Sequence, residues 1–214
     1  MKRRQRITFS SFGTRKLTDL EGAIIYTFFP ECKDMTIKEI RERTDYSYER
    51  VNSALKSLTE KKIVKEESKG KTLIYSLNLG DLFAEWGFDS YMLEREIEFM
   101  KKYRIIYEGI KEIMHNPLIW MIILFGSYSK GTESKQSDVD ILCVSNKKGE
   151  TENFIRSLKH KYGINFTPVV LSELEFPNMK KDNPELWNDL KMYGIVLKGE
   201  DNFYYWMYKD DKQN

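Results

Sequence analysis

The chain has few of the residues that stabilise small secreted proteins or bind soft metals. Its 214 residues include two cysteines, Cys32 and Cys143, and two histidines, His115 and His160. The cysteines lie far apart in the sequence, which argues against a disulfide framework and against a cysteine-rich metal site. Neither histidine has the spacing of a metal-binding motif around it, so the sequence assigns no role to either.

The sequence also lacks the segments that direct a chain into or across a membrane. Four of the first six residues are Lys or Arg, but no apolar region follows them, so they do not form a secretory signal. The eight apolar residues at 118–125 are too few to span a bilayer. We therefore expect a cytoplasmic protein with no membrane-spanning segment.

The small net charge of +2 hides a difference between two parts of the chain. Residues 1–80 contain 17 Lys/Arg and 11 Asp/Glu, whereas residues 81–214 contain 18 and 22. The first part thus has a net charge of +6 and the second a net charge of −4. Because a basic segment attracts the phosphates of nucleic acids, we expect a nucleic-acid partner for the first part alone.

One segment in the second half of the chain constrains the chemistry more tightly than any other. An apolar run at 118–125 predicts a buried strand, and Gly126-Ser127 follows it directly. Glycine allows a sharp turn close to a ligand, and the N–H groups of such a turn can bind an anion. Asp138 and Asp140 alternate on a second apolar run, so on a strand both carboxylates would share one face. Such carboxylates repel each other unless a cation lies between them, and hard oxygen ligands favour Mg²⁺.

This combination resembles the signature of the DNA polymerase β-type nucleotidyltransferase superfamily, and in particular its minimal nucleotidyltransferase branch. The resemblance covers about residues 116–200. It implies that a nucleoside triphosphate binds together with Mg²⁺ or Mn²⁺. It assigns the metal ions, and with them catalysis, to Asp138 and Asp140. It assigns contacts with the nucleotide to four further residues: Gly126, Ser127, Lys130 and Ser137.

The sequence departs from the superfamily pattern at a third carboxylate, which active members usually carry on a later strand. The candidate strand, residues 164–171, contains no acid, and Asn165 and Thr167 are at its polar positions. Glu173 and Glu175 follow only after this strand. Three alternatives stay open: an acid reaches the site from elsewhere, catalysis is weak, or the site binds a nucleotide without transferring it.

Residues 17–80 show the pattern of three helices followed by a hairpin. Thr36 and Glu39 form a capping box for the second helix, and Ser47 is the expected N-cap of the third. Two short strands come next, and a turn that contains glycine joins them at residues 68–71.

This order of elements resembles the winged helix-turn-helix family. The resemblance implies that the third helix enters the major groove of DNA and that the hairpin contacts phosphates. The DNA-binding candidates are side chains on these two elements: Tyr48, Arg50, Asn52, Lys56, Lys69 and Lys71. The alternative is a winged helix that serves protein contact or dimerisation.

Two further segments have weaker patterns. Residues 81–115 predict a helical connector, broken near Gly87, in which apolar residues from Leu93 to Met114 recur every three or four positions. Such a stripe packs on the transferase core or on a second chain, so a homodimer is one expected state. The aromatic tail, residues 201–214, either stacks on a base or packs back on the domain as a helix.

The predicted fold class is α+β, with an N-terminal winged helix joined by a long helical connector to a small mixed-sheet nucleotidyltransferase domain. The expected boundaries divide the chain into five segments: a basic arm at 1–16, the winged helix at 17–80, the connector at 81–115, the transferase domain at 116–200 and the aromatic tail at 201–214.

Three accounts of function follow. The first is a Mg²⁺-dependent enzyme that moves a nucleoside monophosphate from an NTP to the hydroxyl of an unknown acceptor. The second is a DNA-binding transcriptional regulator that senses a nucleotide through a catalytically degenerate transferase domain, and the absent third carboxylate motivates it. The third is a toxin–antitoxin nucleotidyltransferase that modifies a partner protein or tRNA, and it depends on the resemblance alone.

Overall fold

The structure is a computed structural model that describes residues 16–209. The predicted basic arm lies outside these residues except for Lys16, and so do the last five residues of the predicted tail. The described residues form two compact units, which comprise residues 16–27 with 33–78 and residues 28–32 with 79–209. No helix within residues 16–209 is both long enough and apolar enough to cross a membrane.

The first unit contains three helices and a three-stranded antiparallel sheet. Its elements are α1 (Asp19–Thr27), β1 (Met35–Thr36), α2 (Ile37–Thr44), α3 (Tyr48–Glu60), β2 (Val64–Lys69) and β3 (Thr72–Leu77). The strand order is β1-β3-β2. The predicted helices and hairpin are therefore present, and the two-residue strand β1 is an addition that the sequence pattern did not indicate.

Local signals account for where these helices begin. The Thr36 hydroxyl accepts the N–H of Glu39, and the Glu39 carboxylate accepts the N–H of Thr36 at 2.7 Å, which confirms the predicted capping box. Ser47 is the N-cap of α3 as predicted, but its side chain makes no capping hydrogen bond. Apolar side chains of all three helices form the core: Leu20, Ile24, Ile25, Ile40, Val51, Leu55 and Leu58.

The second unit contains seven α-helices and four strands among its described residues. In chain order they are α4 (Leu82–Lys102), α5 (Arg104–His115), β4 (Met121–Phe125), α6 (Gly126–Lys130), β5 (Val139–Val144), α7 (Lys148–Tyr162), β6 (Phe166–Leu171), α8 (Glu175–Asp182), α9 (Pro184–Tyr193), β7 (Ile195–Lys198) and α10 (Glu200–Tyr204). A π-helical turn at Tyr205–Lys209 follows α10.

The four strands form one mixed sheet in the order β6-β5-β4-β7. β4 is antiparallel to both of its neighbours, whereas β5 and β6 are parallel. The first four residues of β4 are buried, which explains why the central strand is apolar without alternation. Helices α5 and α7 contribute Ile110, Ile113, Ile155 and Leu158 to the core beside the sheet.

The buried strand is shorter than predicted, since it begins at Met121 and not at Leu118. The Asn116 side chain accepts the N–H of Leu118 at 2.9 Å, and the Asn116 carbonyl accepts the N–H of Ile119 at 3.3 Å. These hydrogen bonds close a turn before the sheet begins. The apolar run thus combines a turn with a strand.

The connector breaks at Tyr103, so the break predicted near Gly87 was wrong. Helix α4 continues through Gly87, and the next residue, Phe88, is fully buried against Phe29 and Phe203 at ring-centroid distances of 5.6 and 5.8 Å. A glycine inside a helix costs about 1 kcal/mol, whereas burying a phenylalanine stabilises a fold by about 1.5–3 kcal/mol. Tyr103, with φ −128° and ψ 55°, ends α4 and precedes α5.

The aromatic tail packs back on the second unit within residues 201–209. Phe203, Tyr204, Met207 and Tyr208 are buried, and the Tyr204 hydroxyl donates to the carbonyl of Leu79 at 2.9 Å. Of the two alternatives for this segment, packing as a helix is therefore confirmed for the described residues.

Candidate active site

The two halves of the sequence motif meet where β4 ends and β5 begins. Because these strands are antiparallel neighbours, Phe125 at the end of β4 pairs with Asp140 near the start of β5. Gly126 follows Phe125 and begins α6. The Gly-Ser turn and the second aspartate, which are 14 residues apart in the sequence, are therefore adjacent.

Gly126 lies against the carboxylate of Asp140. A Cβ atom at residue 126 would lie 2.1 Å from Oδ2 of Asp140 and 3.0 Å from its Cγ. The backbone of Gly126 also has φ +72°, which a side chain would disfavour. The site therefore needs a glycine for two reasons, which are its conformation and the close approach of the carboxylate.

The two aspartates differ in their surroundings. Asp138 is exposed and directly precedes β5, so the prediction that both aspartates lie on the strand was wrong by one residue for Asp138. Asp140 is half-buried, and this burial, together with the negative charge of Asp138, raises the pKa of its carboxyl. Within residues 16–209, neither carboxylate has a hydrogen-bond or ion-pair partner.

These carboxylates fit a hard divalent cation. Two neighbouring carboxylates that have no partner within the described residues gain from a cation between them. No cluster of three or more His, Cys, Asp or Glu side chains suited to a metal ion occurs among residues 16–209. Two protein carboxylates suffice for Mg²⁺, which usually keeps waters and takes further oxygens from substrate phosphates.

The expected position of a third carboxylate holds a hydroxyl. Strands β5 and β6 are parallel, and Asp140 pairs with Thr167 in their register. Asn165 precedes β6, and its carbonyl accepts the N–H of Val139 at 2.9 Å. Thr167 is thus the β6 side chain next to Asp140, and no acid on β6 takes part in the site.

The two glutamates after β6 are not arranged beside the aspartates. Glu175 is exposed, pairs with Lys148 and accepts the N–H of Ser172 at 2.7 Å. Lys148 and Ser172 lower the pKa of Glu175 to about 2. Glu173 is exposed in the turn before α8. Glu175 therefore closes the turn before α8 and pairs with Lys148 instead of completing the site.

Of the three polar residues predicted to contact the nucleotide, two are already engaged with other side chains or with the backbone. Lys130, the last residue of α6, pairs with Asp189 of α9 at 2.7 Å and lies over the ring of Tyr193. Ser137 closes the loop before β5, since its hydroxyl accepts the N–H of Ser134 at 2.9 Å. The Ser127 hydroxyl has no hydrogen-bond partner in the part of the chain that the structure describes.

Sequence reasoning missed Arg95, which links elements around the turn. Its guanidinium donates to the carbonyls of Gly194 at 2.6 Å, Tyr193 at 2.7 Å and Ser129 at 3.2 Å. Asp189, the partner of Lys130, was missed as well. Neither residue belongs to a short motif, so the sequence contains no signal that would have found them.

The loop between the motif halves contacts the break between α4 and α5. Glu133 in this loop pairs with Lys102 at 3.1 Å. The ring of Tyr128 in α6 packs edge-on against the ring of Tyr103 at 5.2 Å. The break at Tyr103 therefore adjoins the segment that carries the motif.

The DNA-binding candidates of the first unit are largely accessible. Tyr48 is 50% exposed, and Lys56 and Lys71 are exposed and have no ion-pair partner within residues 16–209. Arg50 is also exposed, and its guanidinium lies over the ring of Tyr46 at 4.5 Å. Of the other two candidates, Asn52 is half-buried and Lys69 pairs with Asp34 at 2.9 Å.

Comparison with known families finds a match over the part of the chain that contains Gly126, Asp138 and Asp140. Residues 93–194 match the family model described as nucleotidyltransferase domain. The match begins inside α4, so it includes part of the segment predicted as connector and also Arg95.

A curated relative from Methanocaldococcus jannaschii is named "Putative protein adenylyltransferase MJ1305". It is 32% identical over 91 residues, which cover 39% of this chain and 60% of the relative's own length. The match therefore spans less than two thirds of that protein.

Two solved structures are more distant. One is a toxin–antitoxin with AMP-PNP, 20% identical with a TM-score of 0.37, and the alignment covers 48% of this chain and 81% of that chain. The other is a mutant of the toxin–antitoxin MntA–HpeT, 19% identical with a TM-score of 0.35, and the alignment covers 49% and 79%.

The similarity to nucleotidyltransferases is carried by the sequence matches and not by these distant structures. The family model spans both halves of the motif, including Gly126 and the two aspartates. The family model and the relative thus show that this part of the chain is similar to nucleotidyltransferase domains.

Proposed function

We propose that this chain transfers a nucleoside monophosphate from an NTP to an acceptor hydroxyl, with release of pyrophosphate and with Asp138 and Asp140 holding Mg²⁺ or Mn²⁺. The observation that carries the proposal is the contact of Gly126 with the Asp140 carboxylate, with Asp138 beside it and no partner for either acid within residues 16–209. A divalent cation supplies charge neutralisation on the phosphates and aligns the reacting oxygens.

The turn after β4 is the proposed site for the triphosphate. The first N–H groups of a helix have no carbonyl partner within it, so those at Gly126 and Ser127 are available to a phosphate oxygen. The Ser127 hydroxyl, which has no partner within residues 16–209, adds a donor beside them. Because these groups adjoin Asp140, one bound phosphate can contact both the turn and the cation.

Lys130 is proposed to exchange its partner when the nucleotide binds. In the structure its ammonium pairs with Asp189 across α6 and α9. A triphosphate carries more negative charge than one carboxylate and would compete for this ammonium. Ser137 is proposed to act through the shape of its loop, because its hydroxyl is already bound to Ser134.

The name of the Methanocaldococcus jannaschii relative suggests an acceptor class. We propose a hydroxyl of a partner protein as acceptor and ATP as the first donor to test. A toxin–antitoxin role remains a prediction from the superfamily resemblance.

A second candidate function is nucleotide sensing without transfer. Thr167 stands beside Asp140 where a third carboxylate is expected, and a threonine hydroxyl is a far weaker base than a carboxylate. In this account the transferase domain binds NTP and metal and changes the DNA affinity of residues 17–80. Metal-dependent nucleotide binding without pyrophosphate release would favour it.

The first unit is proposed to bind DNA as a winged helix. The supporting observations are the exposed side chains of Tyr48, Arg50 and Lys56 on α3 and of Lys71 at the hairpin, together with the net charge of +6 over residues 1–80. Glu66 and Glu67 on β2 are also exposed and would weaken phosphate contacts along that strand.

The transferase proposal is tested with nucleotides labelled at the α-phosphate and a lysate as the source of acceptors. We expect label transfer and pyrophosphate release with Mg²⁺ and neither with EDTA. Asp138→Asn and Asp140→Asn should each lower the rate by roughly 100-fold or more, since the metal contributes several kcal/mol. The exposed Asp182, at the end of α8, provides the control Asp182→Asn, which should transfer normally. Transfer that survives both site substitutions would place the chemistry elsewhere.

Removing the charge of Asp140 should stabilise the metal-free fold. A carboxyl whose pKa is raised in the folded state destabilises that state when it is ionised, above the folded pKa. At pH 7 without metal, Asp140→Asn should therefore raise Tm. This advantage should disappear as the pH falls through the raised pKa toward the ordinary value of about 3.9, because the wild-type carboxyl becomes neutral too. Equal Tm values at pH 7 would contradict the prediction.

The contact of Gly126 with Asp140 is tested against a matched glycine. Gly131 has φ +69° and open space around it, so Gly131→Ala should lose only about 1–2 kcal/mol from its conformation. Gly126→Ala has the same conformational cost and must also displace the Asp140 carboxylate. We expect a larger loss of stability by urea unfolding and loss of Mg²⁺-dependent nucleotide binding in Gly126→Ala alone. Equal losses in both variants would show that the contact is unimportant.

DNA binding is tested by fluorescence anisotropy with a random-sequence duplex at several salt concentrations. Lys56→Ala and Lys71→Ala should each reduce the slope of log K against log salt by about 1, as expected for one phosphate contact. Lys101 is exposed in α4, and Lys101→Ala should leave the slope unchanged. A wild-type affinity that does not depend on salt would refute the proposal.

A further inference from the structure

Arg95 makes three hydrogen bonds to backbone carbonyls at the ends of two helices. Its side chain extends from α4, and its two terminal nitrogens contact Gly194 at 2.6 Å, Tyr193 at 2.7 Å and Ser129 at 3.2 Å. Tyr193 is the last residue of α9, Gly194 is the C-cap of that helix, and Ser129 is in the last turn of α6. The charge of the guanidinium suits this position, because the carbonyls at a helix C-terminus carry partial negative charge.

The carbonyl of Ser129 depends on Arg95 in particular. The last four carbonyls of a helix lack partners within it. In α6 the carbonyl of Ser127 accepts the N–H groups of Gly131 and Thr132, and that of Gly126 accepts the Ser129 hydroxyl. The Ser129 carbonyl accepts the guanidinium. Arg95 therefore fixes the end of the helix that the Gly126-Ser127 turn begins.

The other two contacts of Arg95 lie on the opposite side of the same turn. Gly194 is followed by Ile195, the first residue of β7, and Ile195 pairs with Leu124 of β4. The chain leaves β4 one residue later and turns at Gly126. One guanidinium thus joins the end of α6 to the end of α9, directly before β7 begins, and Asp140 adjoins the turn from β5.

The proposed exchange of the Lys130 partner would make Arg95 more important when a nucleotide binds. In the structure α6 and α9 are also linked by Lys130 and Asp189. The proposed contact of Lys130 with a phosphate breaks that ion pair. The hydrogen bonds of Arg95 then hold the two helices together in the bound state. Loss of the Arg95 side chain would therefore lower the affinity for a nucleotide more than it destabilises the nucleotide-free fold.

We infer that Arg95 is a positioning residue for the Gly126-Ser127 turn, acting through backbone carbonyls and not through contact with substrate; the inference rests on the proposed function. Arginine suits this role because its planar fork donates to several acceptors at once. Lysine keeps the charge but reaches fewer acceptors in a fixed geometry. The KM of Arg95→Lys should therefore lie between the KM of wild type and that of Arg95→Met.

The test compares Arg95→Met and Arg95→Lys with matched substitutions of Arg156. Arg156 is exposed on α7 and has no partner within residues 16–209, so Arg156→Met and Arg156→Lys change the same charge without the same contacts. With ATP, Mg²⁺ and the full chain, Arg95→Met should raise KM roughly tenfold, as expected for losing charge-assisted hydrogen bonds, with a smaller change in kcat. KM and kcat are measured at a temperature where circular dichroism shows every variant to be folded.

Hydrogen exchange provides a readout that needs no nucleotide. In Arg95→Met the amides of residues 126–131 should exchange faster than in wild type, while those of β5 and α7 keep their rates. Arg95→Lys should show the same change to a smaller extent, which covers the case in which Arg95→Met does not fold. The Arg156 variants should match wild type throughout.

The outcomes separate this inference from the proposed function. Unchanged KM and unchanged exchange at 126–131 in a folded Arg95→Met variant would overturn the inference. A KM change no larger than in Arg156→Met would overturn it as well. If the wild type binds no NTP but exchange rises locally at 126–131, the positioning role stands and the proposed function fails.

Discussion

The close approach of the Gly126 backbone to the Asp140 carboxylate is the constraint on which the rest of the second unit depends. It requires β4 and β5 to be antiparallel neighbours in the observed register, because only then does Phe125 pair with Asp140. That register is maintained by apolar side chains buried in the two central strands. Helices α5 and α7 bury the core beside the sheet and so hold both strands in place.

The same arrangement carries an energetic cost. The carboxylates of Asp138 and Asp140 have no partner within residues 16–209, and burial, together with the negative charge of Asp138, raises the pKa of Asp140. Natural folds tolerate such local instability at sites where a ligand relieves it. The remainder of the second unit offsets the cost with a well-packed core and with polar contacts around α6, including those of Lys130 and Arg95.

Local patterns predicted most of the elements, and long-range contacts account for the rest. The capping box at Thr36 and the hairpin with its turn at residues 68–71 were found because their signals are contained in a few neighbouring residues. Gly126 and the aspartates were identified from their spacing. The antiparallel pair of β4 and β5 brings residues with this spacing close together. The break predicted near Gly87 is absent, because the burial of Phe88 outweighs the effect of Gly87. Arg95 could not be found, since its acceptors lie 34, 98 and 99 residues away along the chain.

The strand order β6-β5-β4-β7 has a consequence for synthesis of the protein. β4 is central in the finished sheet, but its partner β7 begins only at Ile195, about 50 residues after β5 ends. At a synthesis rate of 5–20 residues per second, the ribosome needs roughly 3–10 s to reach β7. During this interval the apolar strand Met121–Phe125 is an edge strand with unpaired backbone groups, the kind of segment that promotes aggregation. The nascent chain is therefore most vulnerable to misassembly after its site strands emerge and before its last strand covers them.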